Sequence, residues 1–411
     1  MTTTPTVRRV GAAVLVLVVV VAAVVAATRL WPTIVPVGLG HPAVDVDATF
    51  GAAETHEAES FEAFIRVATI LSQLALVVVL GLYAWKGTRF MRDSAAGPIG
   101  TGFLLGMLGL GLVWLVQLPF TIAELWWLKR HDVIEIGYVA AIVQDFLGLG
   151  GTFLTLCAAL LVTMGLARLL RGWWWIPAAA VWVGLFAVLV FASPYLVSDT
   201  RDASPWQQRT AQELMRVEGV DLATPLRVER VHSYTSQPNA YATGLGSSQH
   251  VFLWDTLADR FPRAQVRVVL GHEIGHLARR HLSKQIGWFA LTILPIALLI
   301  ALITRGRGGM GEAAAVPLAL LAFTLANLAL MPLSSAVSRR YEAEADWTSL
   351  QATRDPQAMQ RLFVNFTRTA LADPDPPAWW HVIYDDHPSG KERVQMARAW
   401  AARNGVAVPG P

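Results

Sequence analysis

The chain has 411 residues, of which 54% are hydrophobic and only 15% charged, and its mean hydropathy is +0.44. Soluble domains carry roughly 25% charged residues, so this composition argues against a water-soluble globule, and it is too apolar for a disordered chain. One cysteine, Cys157, leaves no disulfide framework and no Cys-rich metal or cluster site, and a formal charge of +3 gives no nucleic-acid footprint.

Taken in chain order, the apolar stretches long enough to cross about 30 Å of hydrocarbon predict seven spans, over residues 10–28, 61–85, 97–120, 136–167, 173–197, 287–304 and 313–333. The first follows Arg8 and Arg9 and has the outline of a signal peptide, with Ala26-Ala27 imitating a cleavage site. It is read as a retained helix, because the stretch can span unaided. Trp126, Trp127 and the run from Trp173 to Trp175 lie at span ends, where interfacial aromatics belong. Asp145 interrupts the fourth span, and a carboxylate at that depth is expected to face a bundle interior or a wet cavity, unless the span starts later and Asp145 sits at the interface.

The expected organisation is therefore 1–197 for spans one to five, 198–286 for a first polar block and 287–333 for a transmembrane hairpin, followed by a second polar block over 334–411. Each polar block is small, so the two are expected to fold together around the hairpin. Basic residues fall at Arg8 and Arg9, at Lys86, Arg89 and Arg92, at Arg168 and Arg171, and at Arg305 and Arg307. All four places lie on one side of the bundle, whereas the first loop holds Asp45, Asp47, Glu54, Glu57 and Glu59. The positive-inside rule then puts both polar blocks outside the cytoplasm. The excess of Arg over Lys and the abundance of Ala are compatible with a GC-rich bacterial genome, hence a bacterial cell membrane.

The strongest motif is His272-Glu273-Ile274-Gly275-His276, an HExxH. Histidines at i and i+4 share a helix face, so both imidazoles can bind one zinc ion, with Glu273 within reach as general base for a water at the metal. Pro262 suits the start of the helix, and Val266, Val269 and Leu270 supply an apolar stripe before the motif. Catalytic zinc takes three protein ligands and keeps one position open. Arg279 and Leu282 stand where a metzincin would carry its distal groups, and His281 falls off the ligand face and reads as surface. A carboxylate on another helix is then the natural third ligand. Glu342 and Asp346, at i and i+4 beyond the last span, share one face while Glu344 points elsewhere. One of the pair can bind zinc while the other holds the second ring nitrogen of a ligand histidine. His232, His250 and His381 carry no motif and are read as making local hydrogen bonds.

This order of features resembles the integral-membrane zinc peptidases of the type I CaaX prenyl protease family, which belong to the gluzincins. The resemblance rests on the HExxH after the fifth span and on the E-x-x-x-D of Glu342 and Asp346 after the seventh. It also rests on Asn239-Ala240-Tyr241-Ala242-Thr243-Gly244 with the stretch 249–257, and on His387-Pro388-Ser389 followed by Arg393. A weaker echo is Leu118-Pro119-Phe120 with Glu124 and Arg130-His131, although His131-Asp132 replaces the usual His-Gly. The family implies a mainly α, polytopic seven-helix transmembrane bundle that encloses a water-filled chamber, joined to a gluzincin-like zinc peptidase domain with a small β element. It further implies one Zn2+ held by His272, His276 and Glu342, with Glu273 as general base and Asp346 orienting a ligand histidine. His387 would donate to the oxyanion, and Asn239 and Ala240 would line the substrate cleft. An extended protein or peptide substrate is expected to add as a strand beside 251–253.

The expected function is a zinc metalloendopeptidase of the lipid bilayer with no nucleic-acid partner, engaged in CaaX-type processing or in quality control of membrane proteins. The alternative is a non-catalytic, zinc-stabilised scaffold or transporter. Structural zinc sites usually fill all four positions with Cys or His, and three ligands plus a general base favour catalysis.

Overall fold

The computed structural model describes residues 20–91 and 96–407, with the side chains at 90, 91, 144, 145 and 147–153 outside the description. The reading of Asp145, the basic residues Arg8, Arg9 and Arg92, and most of the first predicted span therefore lie outside the described residues. The described end of that span, Val20–Leu30, is an apolar helix.

Six further helices among the described residues are long and apolar enough to cross a membrane. The first four are α1 (Ala52–Lys86), α2 (Gly97–Arg130), α3 (Tyr138–Leu170) and α4 (Trp175–Ala192). They bury a shared seam of Leu80, Tyr83, Leu105, Met164 and Trp174. At Gly106 of α2 a Cβ atom would lie 2.3 Å from Leu160 Cδ2, so the small residue permits the close approach of α3, the usual device between helices in lipid. Outward-facing Leu74, Val78 and Val188 are more than half exposed, as a surface solvated by hydrocarbon requires.

The polar part begins with strand β1 (Thr200–Asp202) and helix α5 (Pro205–Glu218), whose start is fixed by a capping box between Ser204 and Gln207. Strands β2 (Leu226–Glu229), β3 (Ala240–Thr243) and β4 (His250–Trp254) follow, and the sheet order is β1-β2-β4-β3. The motif helix α6 (Arg263–Ala278) comes next, then α7 (His281–Thr304) and α8 (Val316–Thr353). Helices α9 (Pro356–Ala370), α10 (Ala378–Ile383) and α11 (Gly390–Arg403) complete the chain.

Two features position the site. Helix α8 has 38 residues, about 57 Å at 1.5 Å per residue, so it outruns a hydrocarbon core of about 30 Å. The last span and the acidic helix at 342–346, expected as separate elements, are thus one rod with Pro332 inside it. Second, α6 and α7 are nearly contiguous. Arg280 adopts φ 56° between them, so the chain turns sharply where a continuing helix would have run straight on. One core then joins both polar blocks, with Leu214, Val228, Leu253, Leu270 and Ile274 from the first and Trp347, Met359, Val394 and Trp400 from the second.

Candidate metal centre

Helices α6 and α8 pack directly against each other and carry the site between them. The apolar face of α6 (Val266, Val269, Leu270, Ile274) enters the core, which presents His272 and His276 to α8. His272 Nε2 lies 3.0 Å from His276 Nε2. Glu342 closes the triangle, with Oε2 3.2 Å from His272 Nε2 and Oε1 3.4 Å from His276 Nε2. The three ligand atoms all lie within 4.8 Å of one another. Tetrahedral bonds of 2.0–2.1 Å would separate neighbouring donors by about 3.3 Å, so two imidazoles and one carboxylate fit a zinc ion in both type and spacing.

The remaining predicted residues surround this triangle. Asp346, fully buried, accepts a hydrogen bond from His272 Nδ1 at 2.8 Å. Glu273 is 7% exposed and faces the backbone of Ala242 on β3. His387 is more exposed, with Nε2 3.3 Å from Glu342 Oε2 and Nδ1 2.7 Å from Asp386. Asn239 and Ala240 line, with His272, Glu273 and His387, a cavity of about 330 Å³. Among the histidines without a motif, His232 pairs with Asp255, His250 with the Ser248 carbonyl and His381 with Asp385.

Two expectations are corrected. His281 is buried rather than a surface residue, 1% exposed, with Nδ1 2.9 Å from His276 Nδ1 and Nε2 3.0 Å from Glu344 Oε2. The reading assumed that α6 continued past Ala278, but the turn at Arg280 swings His281 back onto the motif. Glu344 does point away from the ligand face, and it points into this buried pair. The second correction concerns the sheet. The stretch 251–253 lies in β4, which is flanked by β2 and β3, so no substrate strand can pair there. The free edge beside the cavity is β3.

Sequence reasoning also noted Arg393 only as part of a motif. Its guanidinium stands 3.4 Å from both Glu342 Oε2 and Asp346 Oδ1, so it balances the two buried carboxylates. No local pattern marks it, because the link spans helices α8 and α11.

Burial favours a neutral His272 ring, but the carboxylates of Asp346 and Glu342 outweigh it and raise its pKa to about 10. Burial, aided by the neighbouring imidazoles, holds His276 well below its usual value. A His272 ring held this way must give up its Nε2 proton in order to ligate. Zinc uptake is expected to release about one proton, and affinity to weaken about tenfold per unit of pH lowered while His272 is protonated. Calorimetry in two buffers of different ionisation enthalpy reads this directly. Uptake without proton release would show that His272 is not the group displaced.

The family model described as Peptidase family M48 matches residues 202–401. Over 242 residues the chain is 28% identical to a Bacillus subtilis protein called uncharacterized metalloprotease YhfN, covering 54% of this chain and 56% of that one. The match thus spans a little over half the length of that relative. A protease HtpX homolog from Aeropyrum pernix is 29% identical over 239 residues, which cover 56% of this chain and 68% of that one. The crystal structure of S. mikatae Ste24p superposes with a TM-score of 0.71 at 16% identity, covering 87% of this chain and 92% of that one. The two chains share a fold that includes the membrane helices.

Proposed function

We propose that this integral membrane protein, whose residues 202–401 match the family model described as Peptidase family M48, is a zinc-dependent endopeptidase acting on extended protein or peptide substrates. The observation that carries the reading is the triangle of His272, His276 and Glu342, with donor separations of 3.0, 3.2 and 3.4 Å and Glu273 beside it. His272, His276 and Glu342 would hold a zinc ion there, which would supply a Lewis acid for the scissile carbonyl and acidify the attacking water.

The chain's own residues supply the rest. Glu273 removes a proton from the water and delivers it to the leaving amine. Burial pushes its pKa up to about 7, where a carboxylate both accepts and returns protons near neutral pH. Asp346 holds the His272 ring by Nδ1, which leaves Nε2 free to ligate. Desolvation lowers the His387 pKa, but the hydrogen bond to Asp386 and the charge of Glu342 prevail and raise it above its usual value. The ring is thereby suited to donate to the oxyanion. The substrate backbone extends the sheet at the free edge of β3, starting at Asn239 and Ala240, so main-chain hydrogen bonds supply most of the recognition.

The test is cleavage of a mixed peptide panel by the purified chain in detergent. A chelator is expected to abolish cleavage, and stoichiometric Zn2+ to restore it. Cleavage that is indifferent to chelation would remove the metal from the reaction.

Orientation decides between the two jobs this activity allows. Arg307 donates to the Ala84 carbonyl at 2.6 Å, and Arg168, Arg171 and Arg305 line one cavity, so three basic loops share one end of the bundle. Glu54 pairs instead with Arg368 of the peptidase part at the other end. The charge asymmetry supports an extracytoplasmic site in a bacterial cell membrane, and hence quality control of membrane or secreted proteins over processing of cytosolic prenylated tails. A phosphatase reporter fused after Pro411 is expected to be active, and a reporter that behaves as cytoplasmic reverses the assignment.

A further inference from the structure

Both ligand histidines have a second ring nitrogen that must be satisfied, and the two are treated differently. His272 reaches a carboxylate directly, through Nδ1 to Asp346 at 2.8 Å. His276 meets another imidazole, His281, Nδ1 to Nδ1 at 2.9 Å. The far nitrogen of His281 meets Glu344 Oε2 at 3.0 Å. For His276 to ligate through Nε2, its proton must sit on Nδ1 and be donated to His281. His281 then accepts at Nδ1 and carries its own proton on Nε2, which it donates to the Glu344 carboxylate. Only one tautomer of each ring satisfies all these contacts.

We propose that His281 and Glu344 are positioning residues for His276, forming an imidazole-carboxylate relay that fixes its ring and strengthens it as a ligand. The proposal rests on the metal reading of the triangle above. The relay is built to hold still. Glu344 is pinned by three donors from two segments: His281 and Lys284 Nζ, the latter at 3.3 Å, both on α7, and the backbone N–H of Ile34 at 3.1 Å. The His281 ring lies flat on Tyr341, with centroids 4.6 Å apart and planes 9° apart. Tyr341 in turn donates its hydroxyl proton to the Leu30 carbonyl at 2.7 Å and accepts from Trp288 Nε1. The segment that leaves the first apolar helix, residues 30–34, is thereby part of the support of the metal site, more than 230 residues away along the chain.

The experiment measures metal binding on the full chain in detergent, by competition between the protein and a chromophoric chelator for Zn2+ and by the visible spectrum of the Co2+-loaded protein. His281→Phe keeps the ring stacked on Tyr341 but can neither accept from His276 nor donate to Glu344. It is expected to weaken zinc binding by about 10–100-fold and to shift the Co2+ bands. His281→Asn restores an acceptor at the Nδ1 position and should recover part of both. Glu344→Gln, nearly isosteric, should give a loss in the same direction. A role confined to packing would lower the melting temperature of His281→Phe without moving the Co2+ spectrum. A folded His281→Phe with wild-type affinity and spectrum overturns the relay; if that variant does not fold, wild-type values for Glu344→Gln overturn it. A wild-type chain that binds no zinc sinks the underlying metal reading instead.

Discussion

Glu273→Gln is expected to bind zinc like the wild type and to lose about 10²–10⁴-fold in turnover. Glu273 lies outside the ligand triangle, and it is only 7% exposed, so an isosteric amide keeps the packing of α6. The amide cannot take a proton from water. It also removes the repulsion that the neighbouring Glu342 charge exerts on Glu273, so the metal site should be no less stable. The loss should fall on kcat with KM little changed, the signature of an interaction made in the transition state alone. Zinc content and peptide cleavage, measured side by side on both proteins, decide it. A zinc-loaded variant that cuts at the wild-type rate removes Glu273 from its role.

Gly275→Val is expected to destroy the site by a different route. A Cβ at Gly275 would lie 3.2 Å from Thr348 Cβ and 3.4 Å from the Ala345 carbonyl oxygen, and one at Gly271 would lie 2.9 Å from Ser349 Oγ. These two glycines let α6 lie against α8, which brings Glu342 to within 3.4 Å of both histidines. The branched side chain of Val must push the helices apart. Overpacking of this kind costs about 1–3 kcal/mol in stability, but the larger consequence is geometric. Metal–ligand distances tolerate only about 0.2 Å, so a modest displacement of α8 unmakes the triangle. Zinc content should fall to background while the membrane helices still assemble, read as unchanged helical circular dichroism with a lowered melting temperature. The control is Gly81→Ala on α1, where a Cβ meets nothing within 4 Å. Full zinc loading of Gly275→Val would show that helix contact does not set the ligand spacing.

These two expectations draw on different parts of the molecule's legibility. The chemistry of the motif was open to a linear reading because an α-helix places i and i+4 together by its own geometry. This holds for His272 with His276 and for Glu342 with Asp346. The membrane helices were equally open, since long apolar runs without partners for their backbone groups have few other fates. Their lengths were less so. The run ended in the reading where hydropathy fell, near Leu333, whereas the helix goes on to Thr353, because a helix does not stop when its solvent changes.

His281 marks the sharpest limit. Its exclusion followed from helical phase, and that phase was broken by a single left-handed residue, Arg280. An arginine there carries no local signal, in contrast to the glycine that more often takes such a conformation. Strand order is the second limit. The run 251–253 was expected to receive a substrate strand, yet it lies between two neighbours, β2 and β3, and its apolarity is what a strand so placed needs. Ala240–Thr243, weaker by composition, became the edge because β4 returns antiparallel beside it.

The membrane helices, the paired histidines, their interposed glutamate and the acidic pair that answers them could all be read linearly, since each depends on spacing within one helix or on bulk apolarity. Only folding brings Glu342 to both histidines, Arg393 to the carboxylates, and His281, Glu344 and Ile34 behind His276. Those contacts join segments tens to hundreds of residues apart, and the meeting of Glu342 with the two histidines needs α6 and α8 to approach as closely as Gly271 and Gly275 allow.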